Sequence, residues 1–321
     1  MTSRLLLPLA LVALTACGET SGPSTPRSDT SYTVVVRWVG TAPSSTIQAA
    51  FTNAASRIQQ IVTGDIPDAQ IGSGATPFNI SDCNASMTGA SPLNEVVDDL
   101  VIYAKVDSID GVGNVLGSAG PCLTRTVGGL TGLGIMRFDS ADLNSLATNG
   151  RLGDVILHEM LHVVGIGTLW ESKGILLGKD SATVRVTGAL ATSACANDLG
   201  GASVCSGSVP AENCENLTAG TSCGAGTRNA HWKESTFRTE LMTGYAGATN
   251  VLSRMTVQGI ADLGYTVNVN AADAYTVPPA ALRASVTAAE AALAEPVVAL
   301  PEPERPRFQV DGLGRVTRIR R

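Results

Sequence analysis

Residues 153–167, with the sequence GDVILHEMLHVVGIG, constrain the fold of this chain more than any other stretch. His158 and His162 are four residues apart, so on an α-helix both imidazoles stand on one face, one turn above the other. Asp154 falls in the first turn of such a helix, where the helix dipole favours an anion, and Gly165 suits its C-terminal turn. The stretch therefore predicts a helix that presents both histidines on one face.

The same helix carries Glu159 between the two histidines. His-Glu-x-x-His is the pattern in which two imidazoles bind one Zn²⁺ and the glutamate serves as general base of a hydrolase. A buried helix whose histidines only find hydrogen-bond partners is the alternative. The whole chain has 3 histidines and two of them fall in this motif, which favours a metal site.

The N-terminal residues predict export. Arg4 precedes an apolar run from Leu5 to Leu14, which is too short to span a bilayer as a mature helix. The run ends in the sequence LTAC, which resembles the lipobox of bacterial lipoproteins, so we expect residues 1–17 to be a signal peptide and Cys17 to carry lipid. An ordinary secretory signal that is cut near Ala16 is the alternative.

Charge and composition limit the partners of the chain. The net charge of −6 and the pI near 5.1 argue against nucleic acid. No stretch after the signal peptide approaches 18 apolar residues, so we expect contact with a membrane only through the lipid on Cys17. Residues 18–31 are rich in Ser, Thr, Pro and Gly and predict a flexible tether.

Cysteine usage agrees with export. With Cys17 set aside, six of the 7 cysteines remain, and an even number in an exported chain predicts disulfides. We expect one bridge between Cys83 and Cys122 and two more within the Gly- and Ser-rich stretch from Cys195 to Cys223. A second zinc held by the four cysteines of that stretch is the alternative.

Hydrophobic patterns indicate an α/β (α+β) fold. β-Branched and aromatic residues over Tyr32–Trp38 predict a strand, and apolar residues from Ile47 to Ile61 recur at helical spacing. Leu100–Val106 and Gly134–Phe138 predict further strands before the histidine helix, and Met255–Leu263 predicts a helix after it. Strand, helix and strands in this order predict a sheet covered by helices.

The composition divides the chain after the tether into two parts. We expect one domain over residues 32–277, with a long insertion of little periodicity at residues 168–228. Residues 278–321 change to an Ala-rich, then Pro-rich and finally basic sequence. We expect them to form a solvated tail, and contact of its basic end with an anionic surface is the alternative.

A catalytic zinc usually takes a third protein ligand. In metzincins the third histidine follows the glycine of HExxHxxG by three residues, but Thr168 stands at that position here. The one remaining histidine is His231, beyond the cysteine-rich insertion. The sequence ELMTG follows it at residues 240–244 and looks like the Met-turn of metzincins.

This combination resembles the leishmanolysin (invadolysin-like) family of metzincin metallopeptidases, where an insertion separates the helix from the third histidine. The resemblance implies a zincin-like catalytic domain with a mixed twisted sheet, an active-site helix and a disulfide-rich insertion. It also implies hydrolysis of proteins or peptides, with Glu159 as general base and Met242 as the apolar floor beneath the metal. One Zn²⁺ would be bound by His158, His162 and His231.

The resemblance also implies a place for the substrate. In that family an antiparallel edge strand above the cleft binds the substrate backbone by strand addition, and residues 115–125 are our candidate. A zincin with a carboxylate third ligand, such as Glu171, is one alternative. A non-catalytic zinc-binding surface lipoprotein is the other, although a binder would not need Glu159.

Overall fold

The structure, a computed structural model, describes residues 31–73, 76–113, 116–214, 227–244, 250–280 and 304–320. The strands found there are β1 (Val34–Trp38), β2 (Ala69–Ile71), β3 (Glu95–Val97), β4 (Leu100–Asp107), β5 (Gly117–Arg125), β6 (Thr131–Asp139), β7 (Leu176–Leu177), β8 (Arg185–Val186), β9 (Val209–Pro210), β10 (Phe308–Val310) and β11 (Val316–Arg318). The α-helices are α1 (Ser45–Ile61), α2 (Ser140–Thr148), α3 (Leu152–Val164), α4 (Ala189–Ser193), α5 (Glu234–Phe237) and α6 (Arg254–Asp262).

A 6-stranded sheet in the order β1-β4-β6-β5-β10-β11 forms the centre of the molecule. Strands β1, β4 and β6 are parallel to one another, and β5 runs antiparallel to β6. Strand β10 then runs parallel to β5, and β11 runs antiparallel to β10. The sheet is therefore mixed, and the predicted α/β fold class is confirmed.

Apolar residues cover both faces of this sheet, because alternate side chains of a strand point to opposite sides. On β4, Ile102 and Ala104 pack in the larger cluster with α1 and α3, whereas Val101 and Tyr103 pack in the smaller cluster on the other face. That second face is covered by the chain between β2 and β3.

The helix α3 lies close against the sheet because β6 has a glycine where the two meet. A Cβ atom added to Gly134 would lie 2.2 Å from Cγ1 of Val163, so a larger residue there would push α3 away. The predicted histidine helix thus has a fixed position relative to β5 and β6. The insertion adds a small antiparallel sheet of β7, β8 and β9, and its helix α4 packs against α6.

The end of the chain differs from the prediction. Residues 278–321 were expected to form a solvated tail beyond the domain, but residues 304–320 join the central sheet through β10 and β11. Val310 is buried, and the Phe308 ring packs edge-to-face on Phe78 with centroids 5.1 Å apart. The fold therefore does not end near Val277, and β5, the expected edge strand, is covered by β10.

The disulfides agree with the prediction in the residues that the structure describes. Cys83 and Cys122 form one bridge, as predicted, and Cys195 and Cys205 form another within the insertion. Cys214 is also disulfide-bonded, whereas Cys223 lies outside the described residues. Oxidised cysteines cannot act as thiolate ligands, so the alternative of a second zinc held by four cysteines is wrong.

Two other expectations concern membranes. Among the described residues, no helix combines the length and the apolarity needed to cross a bilayer. The predicted signal peptide, lipidated Cys17 and nearly all of the tether lie outside the described residues, as does most of the Ala-rich stretch after Pro278.

Removing the Cys83–Cys122 bridge should destabilise the protein. The bridge closes a loop of 39 residues, and a loop of that length is expected to contribute about 3–4 kcal/mol to the free energy of unfolding. The Cys83→Ser, Cys122→Ser double variant should therefore unfold at a clearly lower guanidinium concentration than the native protein. The matched control removes Cys195–Cys205, which closes only 10 residues and should cost about 2–3 kcal/mol. Equal loss in both variants, or no loss, would contradict this expectation.

Candidate metal centre

The helix α3 is buried along most of its length, and it places His158, Glu159 and His162 inside the molecule. It ends at Gly165, whose φ of 137° lies in a region that side chains with a Cβ rarely adopt. The N–H of Gly165 donates to the carbonyl of Leu161 and closes the last turn. The glycine expected from the sequence thus turns the chain sharply away from the second histidine.

A second glycine brings the third histidine to the helix. Gly167 has φ +78°, and a Cβ atom on it would lie 1.9 Å from the carbonyl oxygen of Ala230. The backbone that carries His231 can approach the end of α3 only because this side chain is missing. The buried rings of Trp170 and Trp232 pack at the same junction, with centroids 4.6 Å apart.

The three histidines meet around one point. The Nε2 atom of His162 lies 3.0 Å from Nε2 of His158 and 3.0 Å from Nε2 of His231. Nε2 of His158 lies 3.1 Å from Nε2 of His231. Tetrahedral zinc with Zn–N bonds of about 2.0–2.1 Å holds its nitrogen ligands about 3.3 Å apart, close to this spacing. Among the described residues these three histidines are one of two groups that could hold a metal ion; the other is the carboxylate cluster of Asp65, Asp98 and Asp99.

Backbone carbonyls fix which nitrogen of each ring is free. Nδ1 of His158 lies 2.7 Å from the carbonyl oxygen of Leu241, Nδ1 of His162 2.8 Å from that of Ile166, and Nδ1 of His231 3.0 Å from that of Thr227. A carbonyl oxygen only accepts, so each Nδ1 must carry the proton and donate it. Every Nε2 is then left with a lone pair directed at the common centre, the usual arrangement of metal-binding imidazoles.

Burial keeps the three rings neutral. It lowers the pKa of His158 to about 4 and the pKa of His231 to about 3, and it holds the pKa of His162 well below its ordinary value. At neutral pH the site therefore presents three lone pairs within hydrogen-bond distance of each other and no proton between them. A cation at the centre satisfies all three, and imidazole nitrogen is a donor that suits zinc.

Glu159 lies beside this centre. Its Oε1 atom is 4.0 Å from Nε2 of His158, and the side chain is 1% exposed. Neither carboxylate oxygen has a hydrogen-bond partner in the part of the chain that the structure describes. Burial raises the pKa of Glu159 well above its ordinary value, so this carboxylate has a strong tendency to take up a proton.

The segment that carries Met242 contacts both the helix α3 and the segment that carries His231. The carbonyl of Leu241 accepts the proton of His158, and the carbonyl of Met242 accepts the backbone N–H of Trp232, 3.0 Å away. Met242 itself is fully buried. The expected Met-turn therefore connects α3 to the segment of the third histidine.

Glu240 organises this turn, although the sequence analysis identified it only as part of the ELMTG motif. Its carboxylate accepts from the N–H of Met242 at 2.6 Å, from the N–H and the hydroxyl of Ser253, and from the hydroxyl of Thr256. The hydroxyl oxygen of Thr256 in turn accepts from Nε1 of Trp232 at 2.8 Å. A buried acid thus links the Met-turn, α6 and the neighbour of the third histidine.

Glu212 fixes His231 from the other side. Its backbone N–H donates to the carbonyl of His231 at 2.9 Å, and its carboxylate accepts from the N–H groups of Glu234 and Cys214. Nothing in the sequence around Glu212 indicated this role, because the insertion lacks periodicity.

Two further candidates lie elsewhere. The Thr168 hydroxyl, at the usual position of the third histidine in metzincins, donates to the carbonyl of His162 at 2.6 Å and helps to end the helix. Glu171, the candidate carboxylate ligand, is 47% exposed and forms ion pairs with Lys179 and Arg305. It is not part of the histidine cluster, so the alternative of a carboxylate third ligand finds no support.

Comparison with known proteins identifies one family. The family model for leishmanolysin peptidases matches residues 93–290, which is more than half of the chain and includes α3, His231 and the Met-turn. No curated protein matches the chain at a significant level.

Replacing Glu240 with alanine should destabilise the turn. The change leaves the N–H of Met242 and the donors of Ser253 and Thr256 buried without an acceptor, which is expected to cost about 2–4 kcal/mol. Chemical unfolding of the metal-loaded protein would measure this loss. Glu95→Ala is the control, because Glu95 forms only a half-exposed ion pair with Arg37 and should change stability by less than about 1 kcal/mol. Equal stability of the two variants would contradict a central role for Glu240.

Proposed function

Because the chain belongs to the leishmanolysin family of metallopeptidases, we propose that it is a zinc-dependent endopeptidase with Glu159 as general base. The observation that carries this proposal is the convergence of three neutral imidazole nitrogens, 3.0–3.1 Å apart, beside a buried carboxylate. We propose that His158, His162 and His231 hold one Zn²⁺ and that Met242 lies beneath it.

When bound, Zn²⁺ would supply a Lewis acid that lowers the pKa of water to about 7 and polarises a carbonyl oxygen. Three neutral histidines suit this chemistry, because they leave the charge of the ion undiminished. The backbone carbonyls of Leu241, Ile166 and Thr227 keep the rings in the tautomer that this binding needs.

Glu159 performs the proton transfers in this proposal. Its carboxylate accepts a proton from the water that attacks the peptide carbonyl, and it later gives that proton to the leaving amine. Burial raises the pKa of Glu159, which helps it to take up the proton and to keep it between the two steps. No described residue donates a hydrogen bond to either carboxylate oxygen, so neither is engaged by the protein itself.

Substrate and location follow from the same proposal. The substrates are proteins or peptides, and the protein acts outside the cytoplasm, attached to a bacterial membrane by lipid on Cys17. Disulfides such as Cys83–Cys122 support export, since reducing compartments rarely contain them. A zinc-binding lipoprotein without activity is the second candidate, and the carboxylate of Glu159 beside the histidines argues against it.

Glu159→Gln separates these two candidates. Glutamine keeps the size of the side chain but cannot take a proton from water, and general-base catalysis typically contributes about 10²–10⁴-fold. Cleavage of a quenched peptide should fall by at least that factor, while the zinc content stays near one ion per chain. The matched control, Glu95→Gln, changes a half-exposed surface carboxylate and should leave turnover unaltered. Unchanged turnover of the Glu159 variant would remove this residue from the mechanism.

His231→Ala tests the ligand set. Loss of one of three nitrogen donors should weaken zinc binding by orders of magnitude, measured by competition with a chromogenic chelator. Glu171→Ala serves as the control and should retain native zinc affinity, because Glu171 pairs with Lys179 and Arg305 rather than with the histidines. Tight zinc binding and full activity in the His231 variant would show that the third ligand lies elsewhere.

A further inference from the structure

The C-terminal segment, residues 304–320, occupies the outer side of β5. Besides the ladder between β10 and β5, three backbone hydrogen bonds join the segment to this strand: Glu304 N–H to the carbonyl of Ala119 at 3.2 Å, Arg307 N–H to that of Cys122 at 2.8 Å, and Thr126 N–H to that of Val310 at 2.8 Å. The contact therefore runs along nearly the whole length of β5 and uses the groups that an edge strand offers to another chain.

This side of β5 is also the edge at which an extended peptide could add as a strand. Without the C-terminal segment, β5 would be the last strand of the sheet, next to β6 and to the helix α3 that carries two of the histidines. An extended peptide that adds to a sheet edge pairs with the free N–H and C=O groups of that edge. Strand β10 and such a peptide need the same groups, so they cannot bind together.

Side chains also hold the segment in place along this contact. Arg305 forms an ion pair with Glu171, on the segment that leaves α3 after the second histidine. Glu304 accepts a hydrogen bond from Asn84, and the ring of Phe308 packs against Phe78 on the other face of the sheet. The C-terminal segment thus connects the edge of the sheet to the part of the chain that follows α3.

The strand β5 is shaped for this close contact. A Cβ atom on Gly120 would lie 2.1 Å from the carbonyl oxygen of Glu304, so the segment can lie this close only beside a glycine. The ladder of paired residues within this contact is nevertheless short, because β10 has 3 residues. It also runs in the parallel direction, which is slightly less stable per residue. Such a strand can be displaced while its covalent link keeps its local concentration high.

We propose that the C-terminal segment is a built-in inhibitor, which blocks the peptide-binding edge of β5 until it is displaced or removed. This inference rests on the proposed peptidase function. It assigns a role to the basic end of the chain, and it gives the enzyme a means of staying latent that involves neither the histidines nor Glu159. The occupant of the edge is part of the same polypeptide, so latency needs no second protein.

The test uses the full chain with a cleavage sequence for an unrelated, sequence-specific protease placed within residues 281–303. The folded, zinc-loaded protein is cut there, and the released segment is separated by gel filtration. Hydrolysis of a quenched peptide should increase at least about tenfold, as expected when a tethered competitor is removed. The Thr126 amide should then exchange its hydrogen faster, and a synthetic peptide of residues 304–320 should restore inhibition.

Point variants of the uncut chain give a matched comparison. Arg305→Ala removes the ion pair to Glu171 and should raise turnover severalfold, whereas Arg315→Ala breaks only a contact with Asp311 inside the β10–β11 turn and should not. Faster exchange at Thr126 with unchanged or lower turnover would show that β10 is merely a structural strand, and the inference would be wrong while the peptidase function stands. Absence of turnover in every form, with release seen by exchange, would remove the proposed function and this inference together.

Discussion

Three hydrogen bonds from imidazole Nδ1 atoms to backbone carbonyls orient the histidines of the candidate metal site. The acceptors are Leu241 in the Met-turn, Ile166 beyond the helix α3, and Thr227 at the end of the insertion. Each bond fixes one tautomer and one ring orientation, and together they direct three lone pairs at one point. Because the acceptors belong to three distant parts of the sequence, the histidines converge only when the helix, insertion and Met-turn have all folded.

Two buried carboxylates show how surroundings assign a role to the same chemical group. Burial raises the pKa of both Glu159 and Glu240. Glu240 accepts four hydrogen bonds from Met242, Ser253 and Thr256, which hold it in place and oppose its protonation. Glu159 receives none from the described residues and lies beside the histidines, so nothing comparable opposes its protonation. One glutamate is therefore structural, and the other is suited to react.

Local patterns in the sequence predicted most of the scaffold and the histidine cluster. The four-residue spacing of His158 and His162 defines a helix face, and His231 was the one histidine left to join it. The roles of Glu212 and Glu240 could not be predicted, because they depend on contacts between segments far apart in the sequence. Strand β10 was missed because 3 residues give no periodic signal, and a basic C-terminus looks like a solvated tail.

The contact between Gly167 and Ala230 separates the length of the insertion from the geometry of the site. The chain leaves α3 at Gly167 and returns to nearly the same point at Ala230, since no Cβ atom fits between these two residues. The polypeptide between them is therefore a loop whose two ends meet. Doubling the length of such a loop costs only about 0.6 kcal/mol in closure entropy. Added length in this region, even a grafted foreign domain, should therefore leave the three histidines in register, provided that Glu212 and Thr227 keep their contacts with His231.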